Sequence, residues 1–446
     1  MMGIKFIYEE TLVDLLSFCY SVDSFFAIPS TVLFFGVGLY LTIQSRFIQI
    51  RAFPQVFQFF STGIKHHTKT NEKAINPLRA LLTSMATTIG MGTVVGPSVA
   101  IKVGGPGALF WLIAFSLLGS ATKFTEVLFS MKFRTKLPDG TLLGGPSQYL
   151  KQVSPTLAYW YGGLTVILFA GWSGLQANTL ASIFALEGVD KHITGAVLAL
   201  IALRVLMGGI KRVSDVASKL VPIMFVGYVS FACAILLQDL PALSQAFSLI
   251  FNHILTPHAA LGGFAGASVF TALRFGVLRN IHITEAGLGT SSVSHAMADT
   301  DKGRDQAILA MYSMAADMVL AFLSGLLVLV TGVWLKESTM SNTLVYQVFK
   351  DFSPVFGKWV LLLSISLFIL TTVIGNSFNA SQSFASFTQH KGMRWYYLFL
   401  SITIFAGALL YVPLAWAIMD IIMIMVAIPH LIGLLILARK YKELVR

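Results

Sequence analysis

The sequence predicts an all-α polytopic membrane protein of about 11 transmembrane helices, arranged as a 5+5 inverted repeat with broken first helices plus one extra N-terminal helix. Three observations carry that expectation. Only 11% of the 446 residues are charged while 56% are hydrophobic, against roughly 25% charged in a soluble domain. The apolar runs have about the 20 residues that a helix needs to cross a bilayer, and they lack the short alternating pattern of a membrane strand. Glycines cluster inside two of these runs, at corresponding places in the chain.

The same composition excludes other classes. Disorder requires low hydrophobicity. A net charge of +11, from 31 Lys and Arg against 20 Asp and Glu, would suggest a nucleic-acid partner in a soluble protein. In a polytopic membrane protein it reflects basic cytoplasmic loops instead. Cys19 and Cys233 form neither a disulfide framework nor a metal spacing. The first 24 residues contain Glu9, Glu10 and Asp14 without a basic leader, so they do not read as a cleaved signal peptide. No Ser-His-Asp set, phosphate loop or metal-spaced cluster points to an enzyme.

Taken in order, span 1 covers 25–44 and stands outside the repeat. The polar stretch 45–76 follows, where Phe47, Phe53, Val56, Phe57 and Phe60 recur at near-helical spacing before Lys65, His66, His67 and Lys69. That pattern suits a helix lying in the membrane interface. His66 and His67 read as an exposed loop, with a metal pair as the alternative. Spans 2–6 cover 77–103, 106–131, 156–187, 193–209 and 215–238. A second interfacial segment, 239–258, separates them from spans 7–11 at 262–297, 305–335, 355–388, 393–412 and 415–438. The domains are therefore 1–76 (extra helix and basic loop), 77–238 (first repeat), 239–261 (connector) and 262–446 (second repeat and C-terminus). Five helices per unit is odd, so the second unit is inverted.

Basic residues choose the orientation. Loops on one side of the eleven spans hold 21 Lys and Arg, those on the other side 6, and 4 more lie within spans. The positive-inside rule then puts the C-terminus in the cytoplasm and the N-terminus outside, in a cell inner (cytoplasmic) membrane crossed many times.

Span 2 holds Gly90, Gly92, Gly96 and Pro97 within eight positions. Each glycine costs a helix interior about 1 kcal/mol and proline about 3, so an unwound stretch is expected there. Span 7 shows Gly276, Gly287 and Gly289 around Arg279, Asn280, His282, Thr284 and Glu285. Non-helical backbone at membrane depth survives where it lines a cavity or is buried in protein. Paired broken helices in two halves point to a transporter binding site. The alternative is close helix packing on small residues. Half-helix termini present N–H groups to an anion and carbonyls to a cation, which suits a zwitterion plus a metal ion or proton.

These residues carry a resemblance. Residues 86–96 (Ala-Thr-Thr-Ile-Gly-Met-Gly-Thr-Val-Val-Gly), 104–108, 121–126 and Gly144-Gly145-Pro146 resemble the alanine or glycine:cation symporter family, as do 262–267, Arg274-Phe275-Gly276-Val277, Glu285 to Gly289 and Val330 to Trp334. The resemblance covers most of the chain. It implies a leucine-transporter-like fold and symport of a small neutral amino acid, alanine or glycine, with a cation, sodium. The partners would be that amino acid, a monovalent cation and the lipid bilayer, with neither nucleic acid nor an obligate protein partner. No cofactor is expected beyond sodium as the coupling ion.

The loop 88–93 should offer main-chain groups, because most side chains there are small. The resemblance assigns Gly90, Met91, Gly92 and Thr93 to the carboxylate and amine of the substrate, with Gln176 facing it. Met91 and Thr93 depart from the family's small polar residue and asparagine, so side-chain contacts to substrate change. Thr284 and Gly287, at the second break, complete the substrate candidates. Gln176 could otherwise bond between helices, as could Asn178. Thr371 and Thr372, with carbonyls of Thr88 and Ile89, could cage a hard cation, or back-bond to their own helix. Asn376, Ala380 and Gln382 stand where the family commonly has tryptophan, glycine and glutamate. Among intramembrane charges, Glu285 and Asp317 are coupling candidates, Arg274 and Arg279 candidate partners of Glu285, Lys123 and Glu126 a near-cytoplasmic ion pair, and Asp420 a solvated outer residue. His282 could titrate near neutral pH. The alternatives are the same fold carrying another small solute, coupling to protons, or a sensor that binds without transport.

Overall fold

The computed structural model describes residues 2–52, 54–55, 71–138, 140–255, 269–336, 343–410 and 412–446. Val56, Phe57, Phe60, Lys65, His66, His67, Lys69, Phe53 and the glycine-rich motif at 262–267 lie outside the described residues, so the expectations placed on them do too.

The helices are α1 (Met2–Gln44), α2 (Ile48–Arg51), α3 (Pro77–Thr88), α4 (Met91–Gly104), α5 (Gly107–Lys132), α6 (Pro146–Tyr149), α7 (Pro155–Ala185), α8 (Lys191–Leu206) and α9 (Gly209–Leu236). They continue as α10 (Leu240–Asn252), α11 (Val269–Thr284), α12 (Ser292–Ala296), α13 (Gly303–Val330), α14 (Leu344–Phe352), α15 (Phe356–Thr388), α16 (Met393–Leu409), α17 (Val412–Lys440) and α18 (Lys442–Val445). The described residues are thus mostly helical. Seven of these helices are long and apolar enough to cross a bilayer, or eight when α3 and α4, bent by 42° at their junction, count as one. An eleven-span reading further needs α8, α16 and the α11–α12 pair, whose helices are all under 18 residues.

Local chemistry sets several helix starts. Asn76 caps α3 by accepting from the Leu78 N–H at 2.8 Å, with Pro77 in the first turn. Asp190 and Asp239 do the same for α8 and α10. Side-chain caps of this kind satisfy main-chain donors that have no partner inside the helix.

Packing brings separate segments to one place. α7 runs along α15, α16 and α17, while α5 runs along α11 and α13. α4 lies against α11 and α13, and α3 against α9 and α15. α1 packs outside, on α17 and α5. Ile75, before α3, and Ala298, after α12, form a parallel bridge in which Ile75 N–H donates to Met297 and Asp299 N–H donates to Ile75. The segments leading into α3 and out of α12 are therefore tied together.

Several elements differ from expectation. Span 1 is the last part of a 43-residue helix. Of the interfacial helix expected over 45–76, the described residues show the four-residue α2 and two further helical residues, 54–55. The second interfacial segment does form a helix, α10, with Ala246 and Ile250 buried and Leu240, Phe247 and Phe251 exposed. A β-hairpin pairs Thr135–Lys136 with Leu142–Leu143, and α14 folds between spans 8 and 9 with Leu344, Val345, Val348 and Phe349 buried. Both were too short to show as apolar runs.

Candidate substrate and cation site

The first break is narrow. Only Ile89 and Gly90 leave the helix, both in extended conformations. Gly92, Gly96 and Pro97, expected to be unwound, are helical within α4. Their reason is packing: a Cβ on Gly92 would lie 3.1 Å from the His282 carbonyl, and one on Gly96 would lie 3.5 Å from the Ile283 side chain. α4 can approach α11 this closely because these side chains are absent.

Three side chains service the break. Gln176, on α7, accepts from Met91 N–H at 3.0 Å. Thr372, on α15, donates to the Ile89 carbonyl at 2.8 Å. Thr93 donates to the Thr88 carbonyl at 2.9 Å and accepts from Gly90 N–H, bridging the two half-helices from within. A Cβ at Gly90 would meet the Thr372 hydroxyl and Gln176 together. Main-chain groups freed by the break are thus held by neighbours, as buried polar groups must be.

A small cavity of about 20 Å³ opens beside this break, room for roughly one water molecule. Its walls include Thr87, Met91, Gly92, Trp172, Gln176 and Asn376, closed by His282, Glu285 and Trp416. The rings of Trp172 and Trp416 flank His282 at 5.8 and 5.5 Å between centroids.

The second break is boxed in rather than open. Glu285, Gly287 and Gly289 all take left-handed backbone conformations, which glycine adopts without strain and glutamate does not. α5 holds both sides. Lys123 donates to the Thr284 carbonyl at 3.0 Å, at the negative end of α11. One oxygen of Glu126 accepts from Gly287 N–H at 2.9 Å and Gly289 N–H at 3.0 Å. Tyr161 donates to the Leu288 carbonyl at 2.7 Å, and His430 Nδ1 donates to the Gly287 carbonyl at 2.8 Å.

This geometry sorts the sequence candidates. Gly90, Met91, Gly92, Gln176, Thr88, Ile89 and Thr372 converge on the first break. Thr284 and Gly287 do not line the cavity; their polar groups are taken by Asn280, Lys123, Glu126 and His430. Thr371 back-bonds to Leu367 and Phe368 and faces Met224 on α9. Asn178 donates to carbonyls at the end of α16. Asp317 accepts from the Thr88 hydroxyl at 2.9 Å, with its other oxygen bare.

Four charge assignments are corrected. Lys123 and Glu126 are fully buried and serve the second break rather than pairing with each other near the cytoplasm. Arg274 pairs with Asp23, not Glu285, and Arg279 stacks its guanidinium 5.0 Å from the Trp416 ring centre. Glu285 instead accepts from Thr290. Asp420 is buried and faces His282 at 2.9 Å, because α17 turns that face inward. Sequence reasoning missed Trp172 and Asn376 as lining residues. Each lies four residues from a recognised candidate, on the same helix face, and that spacing was the available signal.

The model of the sodium:alanine symporter family matches residues 14–446. A sodium/alanine symporter of Methanococcus maripaludis is 32% identical over 442 residues, covering 96% of this chain and 95% of that protein. A probable sodium/glutamine symporter of Bacillus subtilis is 25% identical over 419 residues, 92% of this chain and 85% of its own. Among solved structures, MhsT in complex with L-phenylalanine superposes with a TM-score of 0.62 at 14% identity, over 82% of this chain and 89% of that one. That likeness shows a shared fold.

Proposed function

The chain belongs to the sodium:alanine symporter family, multi-pass transporters rather than enzymes, and from that premise we propose that it imports a small neutral amino acid with sodium, alanine and glycine being the first to test. The observation that carries this reading is the convergence of Gln176 and Thr372 on the Ile89–Gly90 break beside a cavity. Met91 and Gly92, at the start of α4, line that cavity, where a carboxylate is favoured by the helix N-terminus. Carbonyls of Thr88 and Ile89 and the Thr372 hydroxyl are hard oxygen donors of the kind that hard cations take. A bound sodium would hold the same break that forms the substrate site, which makes each ligand add affinity to the other.

The cavity is too small for an amino acid as it stands, so entry requires its walls to part. Movement of one five-helix unit against the other, alternately to each side, supplies that opening. The 5+5 inverted arrangement, with residues 77–238 as one unit and 262–446 as the other, belongs to this proposal. So does an inner-membrane orientation with the C-terminus in the cytoplasm, supported by the 21-to-6 split of Lys and Arg. Glu285 and Asp317, buried near the break, are the groups through which coupling would pass.

Uptake of labelled alanine and glycine into proteoliposomes, with and without a sodium gradient, tests this. Sodium-driven accumulation is expected. Accumulation under a proton gradient alone would move the coupling to protons, and binding without any accumulation would make the protein a sensor.

A further inference from the structure

Two residues that line the cavity beside the first break, Trp172 and Asn376, carry a buried donor and a buried acceptor without hydrogen-bond partners. Trp172 and Gln176 lie four residues apart on α7, as Thr372 and Asn376 do on α15, so each pair shares a helix face. Gln176 and Thr372 are engaged with the break. Trp172 and Asn376 are not. They are 7% and 2% exposed, both line the cavity, and neither Trp172 Nε1 nor Asn376 Oδ1 has a hydrogen-bond partner. Among the other polar wall groups, Thr87 donates to the Ser84 carbonyl, His282 Nδ1 donates to Leu278 while its Nε2 lies 2.9 Å from Asp420, and Glu285 accepts from Thr290.

Buried polar groups without partners are costly, and a site that keeps them is matched to a ligand that satisfies them. The methyl of alanine or the hydrogen of glycine would leave both bare. An indole N–H only donates and a carbonyl oxygen only accepts, whereas a hydroxyl does one of each. Leu175 and Trp416 close the cavity, which keeps a side chain short. We propose that the transported amino acid carries a short hydroxyl side chain, as serine does, donating to Asn376 Oδ1 and accepting from Trp172 Nε1. This rests on the reading that the cavity takes the amino acid.

The test is competition in sodium-driven uptake by proteoliposomes of the full chain. Labelled alanine is the reporter, and unlabelled serine, alanine and glutamine are the competitors. Serine is expected to half-inhibit at about a hundredfold lower concentration than alanine, about tenfold for each of the two hydrogen bonds. Asn376→Leu and Trp172→Phe, which keep side-chain bulk, should each reduce that serine-to-alanine ratio about tenfold. Equal inhibition by serine and alanine overturns the proposal, as does a ratio unchanged in both variants. Stronger inhibition by glutamine overturns it in favour of an amide. Alanine uptake without serine preference leaves the symport reading standing, whereas no accumulation of any of the three under a sodium or proton gradient removes both. The wild-type ratio decides alone if a variant fails to fold.

Discussion

A methyl group at position 90 would meet the Thr372 hydroxyl and lie 3.0 Å from Gln176 Nε2. Thr372 through its hydroxyl and Gln176 through Oε1 hold the break, so displacing these side chains releases the Ile89 carbonyl and Met91 N–H. Gly90→Ala is therefore expected to cut sodium-driven uptake by more than about tenfold, the effect of one or two lost buried hydrogen bonds. Size-exclusion chromatography of the variant separates this from misfolding. The two adjacent threonines divide sharply. Thr372→Ala should raise the sodium concentration for half-maximal uptake, and Thr372→Ser should restore it, because only the hydroxyl reaches Ile89. Thr371→Ala should shift that concentration less, since its hydroxyl returns to its own helix. An unchanged sodium requirement in Thr372→Ala would remove that residue from the cation site. At this scale the sequence showed which residue types mattered but not which way they point: helical phase separates Thr371 from Thr372 by about 100°.

At the scale of elements, α5 is the helix that makes the second break tolerable. Lys123 and Glu126 lie nearly one turn apart and replace the main-chain hydrogen bonds that α11 lacks beyond Thr284. Glu126→Leu would strand the Gly287 and Gly289 N–H groups, at roughly 1–3 kcal/mol each. Glu126→Gln keeps an acceptor oxygen and should lose distinctly less. Thermal unfolding in detergent distinguishes them; equal loss in the two variants would mean that charge, not the acceptor, matters. The existence of both breaks was legible from glycine placement. Their extents were not, because a glycine in a helix can equally answer to a close neighbour, as Gly92 answers to His282 and Gly276 to the Ala108 carbonyl.

At the scale of the whole molecule, orientation is the open physical claim. Lys391→Cys should react with an impermeant maleimide only in inside-out vesicles, and Lys350→Cys only in right-side-out ones. The reverse pattern would overturn the charge argument. The native Cys19 is buried and Cys233 is only partly exposed, so the background should be low.

Composition and apolar run length by themselves determined a helical membrane protein, since a bilayer admits few backbones whose polar groups are satisfied internally. Glycine clustering in two matching runs located the breaks, because unwinding leaves a local signature in residue type. Tertiary structure alone decided what each break faces. Gln176 reaches Met91 across 85 residues, Thr372 reaches Ile89 across 283, and Glu126 reaches Gly287 across 161. Such pairings depend on which helices pack and at what rotation, and neither quantity is written in the residues of one segment. For the same reason Lys123 and Glu126, read as a local pair, found their partners at the second break, and Arg274 and Arg279 found theirs on α1 and α17, while Glu285 kept a local one in Thr290.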